Sequence, residues 1–180
     1  MIHTEKMSYL QIISHVQDIN SCLFMEDRSN FLDAMKSCRT RNAIGKARTI
    51  HSEILQKELF PDDVYIHNAI LSMYTRCGSL DEAQEVFDDL PNRTIVTWGA
   101  LLAGFVQHDY GLYALELFEK MKLELNEADN AIFSCILKAC GDLGCLEMGE
   151  KVYSEVRKQG LLVNDIVLGG ALVDMYSKCG

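Results

Sequence analysis

Proline is scarce in this chain: Pro61 and Pro91 are the only two in 180 residues. Helices can therefore run uninterrupted over most of the sequence. Long apolar runs are missing, and no stretch of about 18 apolar residues offers a membrane-crossing helix. There is no C-x-x-C, which removes the usual sequence support for a structural zinc site. No glycine-rich phosphate loop follows a strand pattern, so nucleotide hydrolysis has no motif. Positive charge is short, with 17 Lys+Arg against 26 Asp+Glu and a net charge of −9. That excludes a uniformly basic nucleic-acid binder and leaves room for a locally basic groove. A secretory apolar core and an arginine-rich, acid-poor transit peptide are also missing from the opening, which sets Glu5, Asp18, Glu26 and Asp27 against a single Lys6.

What is present describes a folding chain. Apolar residues make up 48% and charged residues 24%, enough to bury a core. Seven cysteines occur (Cys22, Cys38, Cys77, Cys135, Cys140, Cys145 and Cys179). Their odd number, with no signal peptide before them, argues against a disulfide framework and for buried, reduced thiols. Tyr9, Leu10, Ile13, Val16 and Ile19 fall near one helical face, so residues 1–27 read as a lead-in helical segment.

The strongest signal is internal repetition. The stretch from Ala69 to Gly78 returns as Ala171 to Gly180, with Met-Tyr-Thr-Arg-Cys-Gly answered by Met-Tyr-Ser-Lys-Cys-Gly. The pattern divides the chain into units at 28–63, 64–94, 95–129 and 130–165, with a partial unit at 166–180. Aligned in columns, the fifteenth position holds Asn42, Gly78, Asp109, Gly144 and Gly180, all tolerant of a left-handed backbone at a turn. The twentieth holds Ala47, Ala83, Ala114 and Gly149, small enough for two helices to approach closely. The twenty-fourth holds a ring each time: His51, Phe87, Phe118 and Tyr153. Adjacent apolar columns at the seventh and eighth positions complete a helix–turn–helix unit. Such units bury themselves on their neighbours, so the expected fold is all-α, an α-solenoid of stacked helix-turn-helix repeats.

These columns resemble the pentatricopeptide repeat family, in its plant form with alternating long, short and standard repeats. The run from Asn68 to Phe87 is similar to the short type. Val96-Thr-Trp-Gly-Ala-Leu-Leu-Ala-Gly-Phe105 with Ala114-Leu-Glu-Leu-Phe-Glu-Lys-Met121 is similar to the standard type. Ile136-Leu-Lys-Ala-Cys-Gly-Asp-Leu-Gly144 is similar to the long type. The resemblance implies binding of single-stranded organellar RNA, in a mitochondrion or chloroplast, to guide modification such as C-to-U editing. Protein editing factors are implied as further partners. Membrane, cofactor, metal and small-molecule substrate are not expected, nor is a catalytic centre.

In that family the fifth and last residues of a repeat select one base between them, a pairing that short polar side chains can perform. The resemblance carries this to Asn68 with Thr94, whose pattern leans to a pyrimidine, and to Ser134 with Asp165. Asp129 is paired by position with Gly99, which has no side chain to contribute; Leu32 and Gly170 also lack a hydrogen-bonding group. The second position sandwiches the base, giving Tyr65, Val96 and Val167. The thirteenth carries a cation toward phosphate, giving Arg76 and Lys178.

Two other signals look like chemistry or base contact. His51-Ser52-Glu53 matches the H-x-E of zinc deaminases, but the P-C-x-x-C half is absent. Because His51 sits in the ring column, it reads as a packing residue. Trp98 likewise reads as inter-repeat packing. The acidic balance and the empty fifth positions leave a protein-binding helical-repeat scaffold as the alternative function. The sequence stops inside a repeat, which gives the expectation of a fragment with an uncapped, aggregation-prone end.

Overall fold

The computed structural model describes residues 28–58, 63–125, 127–162 and 165–180; the expected lead-in segment 1–27 lies outside them. Among the described residues there are nine α-helices and no strand. Helix α1 occupies residues 28–37. It is followed by α2 (Ile44–Gln56), α3 (Val64–Cys77), α4 (Leu80–Asp88), α5 (Ile95–Gln107), α6 (Gly111–Leu125), α7 (Asn130–Leu143), α8 (Leu146–Lys158) and α9 (Ile166–Cys179). None of these helices is long and apolar enough to cross a membrane.

Local chemistry sets the helix ends. Asp63, Thr94, Asp129 and Asp165 are the N-caps of α3, α5, α7 and α9, and each accepts from a backbone N–H of the first turn. These bonds satisfy donors that the helix cannot pair internally. Thr94 goes further, because its own backbone N–H donates to the Thr97 hydroxyl and closes a capping box. At the other end, α3 and α7 stop on left-handed residues, Gly78 at φ 73° and Gly144 at φ 67°. Asp109 takes the same conformation at φ 66°, so three members of the fifteenth column adopt the predicted turn. Asn42 does not. It lies inside a 3-10 turn, Arg41–Ala43, that leads straight into α2. Helix α1 ends at residue 37, so the chain has several residues over which to turn and needs no left-handed step.

The helices form two rows. Each odd-numbered helix from α3 on packs against the next odd-numbered one, α3 on α5, α5 on α7 and α7 on α9. Even-numbered helices pack against the odd-numbered helices before and after them but not against one another. The first row is therefore the tighter, inner face of the stack. Across the wider outer row only long side chains reach: Arg48 pairs with Glu82, and Lys122 with Glu155 at 2.8 Å.

The core lies between the rows. Ala47, Ala83 and Ala114 are fully buried in the second helices. At the equivalent Gly149, an added Cβ would lie 2.6 Å from the sulfur of Met175, so the small column marks true close approach. Each ring of the twenty-fourth column meets an aromatic of the following first helix edge-on: His51 with Tyr74, Phe87 with Trp98, Phe118 with Phe133, and Tyr153 with Tyr176. Trp98 is only 2% exposed, in agreement with its reading as a packing residue. Cys38, Cys77 and Cys140 are buried, and the six described cysteines are free thiols. Burial pushes the Cys140 thiol up to about 12 and that of Cys135 to about 11, so both stay protonated and unreactive at neutral pH.

Candidate functional site

A cleft of about 260 Å³ opens on the inner row where α1, α3 and the start of α5 meet. Its walls come from a helical stripe of α3, Tyr65, Asn68, Ala69, Ser72 and Arg76, spaced three or four residues apart. Leu32, Met35 and Lys36 of α1 face that stripe, and Val96 closes the far side. The cleft thus gathers four of the residues singled out above: Tyr65, Asn68, Arg76 and Val96.

The polar chemistry centres on Asn68. Its amide oxygen is buried and has no hydrogen-bond partner among the described residues. A buried acceptor left unpaired costs about 1–3 kcal/mol, a cost that turning the amide toward a donor in the cleft would relieve. Tyr65 and Val96 stand on either side of the cleft, 58% and 62% exposed. Apolar side chains this open on a packed helix row are ready contact surface for a planar group. Tyr65 is itself held in place. The Arg28 guanidinium lies 5.0 Å from its ring centroid, and Arg28 Nε donates to Asp63 at 2.7 Å.

The other predicted contact residues fall outside the cleft. Thr94 sits at the mouth of α5, two residues before Val96, with its hydroxyl engaged in the capping box. Asp129 is exposed and caps α7. Ser134 donates its hydroxyl to the Asn130 carbonyl at 2.7 Å, and Asn130 in turn donates its amide to Asp165. Val167 is 74% exposed on α9. Each of these last-position residues, Thr94, Asp129 and Asp165, which the resemblance would make a base selector, is the cap of the next helix. Sequence reasoning missed the capping role, although Asp or Thr ahead of an apolar run is a helix-start signal.

The two expected phosphate cations differ. Arg76 donates from Nη2 to the Met35 carbonyl at 3.2 Å, anchoring α3 to the end of α1, while its buried Nε has no partner among the described residues. Lys178 is clasped by Asp142 at 2.8 Å and Asp174 at 2.7 Å, and hydrogen bonds to both carboxylates raise its pKa. Its charge is spent locally. Lys36, a cation on a first helix that was not among the expected phosphate contacts, also lines the cleft. It stands 36 residues before Ser72, at the same position of its own repeat, which is the signal that points to it. Between these ends, α5 carries no charged residue at all.

Electrostatics also tie the site to stability. The Asp63 carboxyl lies below its usual range, chiefly because Arg28 donates to it and further because Ile66 and Tyr65 do so from the backbone. A depressed carboxylate contributes stability above its unfolded value, and this is lost as pH falls through the folded value. Unfolding midpoints should therefore drop from about pH 4 downward. In Asp63→Asn that drop should be shallower than in the parent, measured by urea titration at neutral and acid pH.

His51 packs as a ring against Tyr74. Its Nδ1 lies 3.1 Å from the Tyr74 hydroxyl, and burial lowers its pKa. Among the described residues no group of three His, Cys, Asp or Glu side chains could hold a metal ion.

Comparison with known proteins follows the same units. A family model described as the PPR repeat matches residues 65–95, 96–124 and 131–161. A pentatricopeptide repeat-containing protein of Arabidopsis thaliana is 35% identical over 156 residues, covering 87% of this chain and 22% of its own length. Another from the same plant, named as chloroplastic, is 31% identical over 157 residues, covering 87% of this chain and 25% of its own. A third, named as mitochondrial, is 31% identical over 170 residues, covering 94% of this chain and 16% of its own. The chain thus spans a quarter or less of the length of these curated relatives.

Proposed function

We propose that this chain, which belongs to the pentatricopeptide repeat family, binds single-stranded RNA along its inner helix row and so guides modification of organellar RNA, such as C-to-U editing. The observation that carries the reading is the unpaired, buried amide oxygen of Asn68, set between the open side chains of Tyr65 and Val96. A base entering there would lie against Tyr65 and offer an edge N–H to the amide oxygen. Asn68 inside the cleft, with Thr94 at the nearby start of α5 exchanging its capping bond for the base, gives a pyrimidine preference. Asp129, and Ser134 with Asp165, extend the contact row, with Val167 as a further sandwich residue. Arg76 and Lys178 are the cations proposed for phosphate, and Arg76 has the less neutralised charge of the two, because no carboxylate holds it among the described residues. Residence in a mitochondrion or chloroplast, and contact with protein editing factors, are part of the same proposal. The chain supplies recognition and no chemistry of its own.

The test is a titration with short labelled single-stranded RNAs of pyrimidine and purine sequence, at two salt concentrations. Asn68→Ala should weaken binding by about 0.5–1.5 kcal/mol, the worth of one hydrogen bond, and erase the pyrimidine preference. A folded chain that binds no RNA at low salt would sink the proposal. It would favour the second reading, a protein-binding scaffold, which draws on the lack of a hydrogen-bonding side chain at Leu32, Gly99 and Gly170 and on the paired charge of Lys178.

A further inference from the structure

The cleft opens at one end onto a strongly basic edge. Residues 36–48 hold five of the chain's 17 cations and no carboxylate, in a protein whose net charge is −9. The fold concentrates this charge further. Arg39 donates to the Lys36 carbonyl at 3.1 Å, and Lys46 donates to the Ser37 hydroxyl at 2.8 Å. Both side chains are thereby drawn back over the end of α1. Arg76 reaches the same place from α3, through its bond to the Met35 carbonyl.

The edge continues onto the next turn. Gly78 has no side chain, and the Arg41 Nε and the His108 ring both approach to within 3.2 Å of where its Cβ would stand. The turns of the first three repeats are therefore linked through Arg41 and His108. His108 is fixed by its own bond to the Thr75 carbonyl at 2.7 Å. Arg39, Arg41, Lys46 and Arg76 have no carboxylate partner among the described residues, while Lys36 shares only an exposed pair with Asp33 at 3.0 Å. Elsewhere the chain pairs its cations readily: Arg48 with Glu82, Lys122 with Glu155, and Lys178 with two aspartates. A group of uncompensated cations beside a cleft, in an otherwise acidic chain, is built for a polyanion.

We propose that this turn edge, formed by Lys36, Arg39, Arg41 and Lys46 with Arg76, is a docking surface for the phosphate backbone of single-stranded RNA. It takes the strand as it leaves the Asn68 cleft and leads it over the turns of the first two repeats. The proposal rests on the RNA reading above and adds a second contact to it, one that reads charge and no base. Lys36 and Arg76 line both the cleft and the edge, so they mark the point where the strand passes from one to the other.

The 180-residue chain would be titrated with a short labelled single-stranded RNA over a series of salt concentrations. The triple variant Arg39→Gln, Arg41→Gln, Lys46→Gln should lower the slope of log affinity against log salt by about 2, since each lost phosphate contact on a single strand removes about 0.7. The charge-keeping variant Arg39→Lys, Arg41→Lys should retain the parent slope, which separates charge from folding. Asn68→Ala should lower affinity without changing the slope. RNA binding with a parental slope in the triple variant overturns the edge and leaves the cleft standing. Loss of base preference in no variant, with a slope that falls in the triple, overturns the cleft and leaves the edge. Capture of an oligoglutamate peptide in place of RNA, abolished in the triple variant, would assign the edge to an acidic protein and overturn the proposal.

Discussion

Replacing Phe118 by alanine should lower the unfolding free energy by about 3–5 kcal/mol, the usual loss for emptying a buried aromatic site. Phe118 is 1% exposed. It meets Phe133 edge-on with ring centroids 6.3 Å apart, and the Lys122 ammonium lies 5.6 Å from its centroid. The ring belongs to α6 and its partner to α7, so the side chain couples the third repeat to the fourth. In a stack where units touch only their neighbours, such coupling decides whether the array unfolds as one. The sole tryptophan, Trp98, lies on the near side of that junction and packs on Phe87. Its fluorescence therefore reports the second and third repeats, while circular dichroism reports every helix. In the parent chain the two urea transitions should coincide. In Phe118→Ala the dichroism should begin to fall before the fluorescence, as α7, α8 and α9 come away first. Coincident transitions, or a loss below about 1 kcal/mol, would deny Phe118 this role; Phe118→Leu should give an intermediate result.

Replacing Tyr65 by alanine should weaken RNA binding by about 1–3 kcal/mol, the range for one base–aromatic stack. In dissociation constant that is roughly fivefold to a hundredfold or more. The ring is open on the side away from Arg28, and the guanidinium holds it against Asp63 and the start of α3. Preorganisation of this kind spares the ordering cost that a free side chain would meet on binding. Tyr65→Phe should bind nearly as well as the parent, because the stack uses the face of the ring. Val96→Ala should cost less than Tyr65→Ala, since it removes two methyl groups from the opposite wall. Equal affinity for Tyr65→Ala and the parent, by anisotropy with the same short RNA, would remove stacking from the account.

Much of the fold could be read from columns. The left-handed turns at Gly78, Asp109 and Gly144 follow from residue type, because few side chains tolerate that backbone. Asn42 departed because α1 ends early and leaves slack before α2, a length effect invisible in one column. The ring column was legible as rings. That each ring meets an aromatic of the next repeat edge-on was not, since Trp98 and Phe133 occupy the fourth position and Tyr74 and Tyr176 the eleventh. The candidate site was legible only in part. Tyr65, Asn68 and Arg76 share a helical stripe, so their meeting follows from spacing alone. Leu32, Met35 and Lys36 reach the cleft from another helix, and no spacing within α3 announces them. Lys178 shows the same limit. Asp174 is four residues away and visible on the helix, whereas Asp142 comes from the previous repeat.

The two helix rows differ in how they resist bending. Inner helices are locked by packed side chains, as at Gly104, where an added Cβ would stand 2.6 Å from Cβ of Thr75. Outer helices are joined across the gap by exposed pairs such as Arg48 with Glu82, each worth about 0–1 kcal/mol. The stack is therefore stiff along one edge and slack along the other. Like a leaf spring clamped on its inner edge, it can open or tighten its curve while the core stays packed. A strand bound as proposed would then meet a stack whose inner helices keep their packing while the outer pairs give way at little cost.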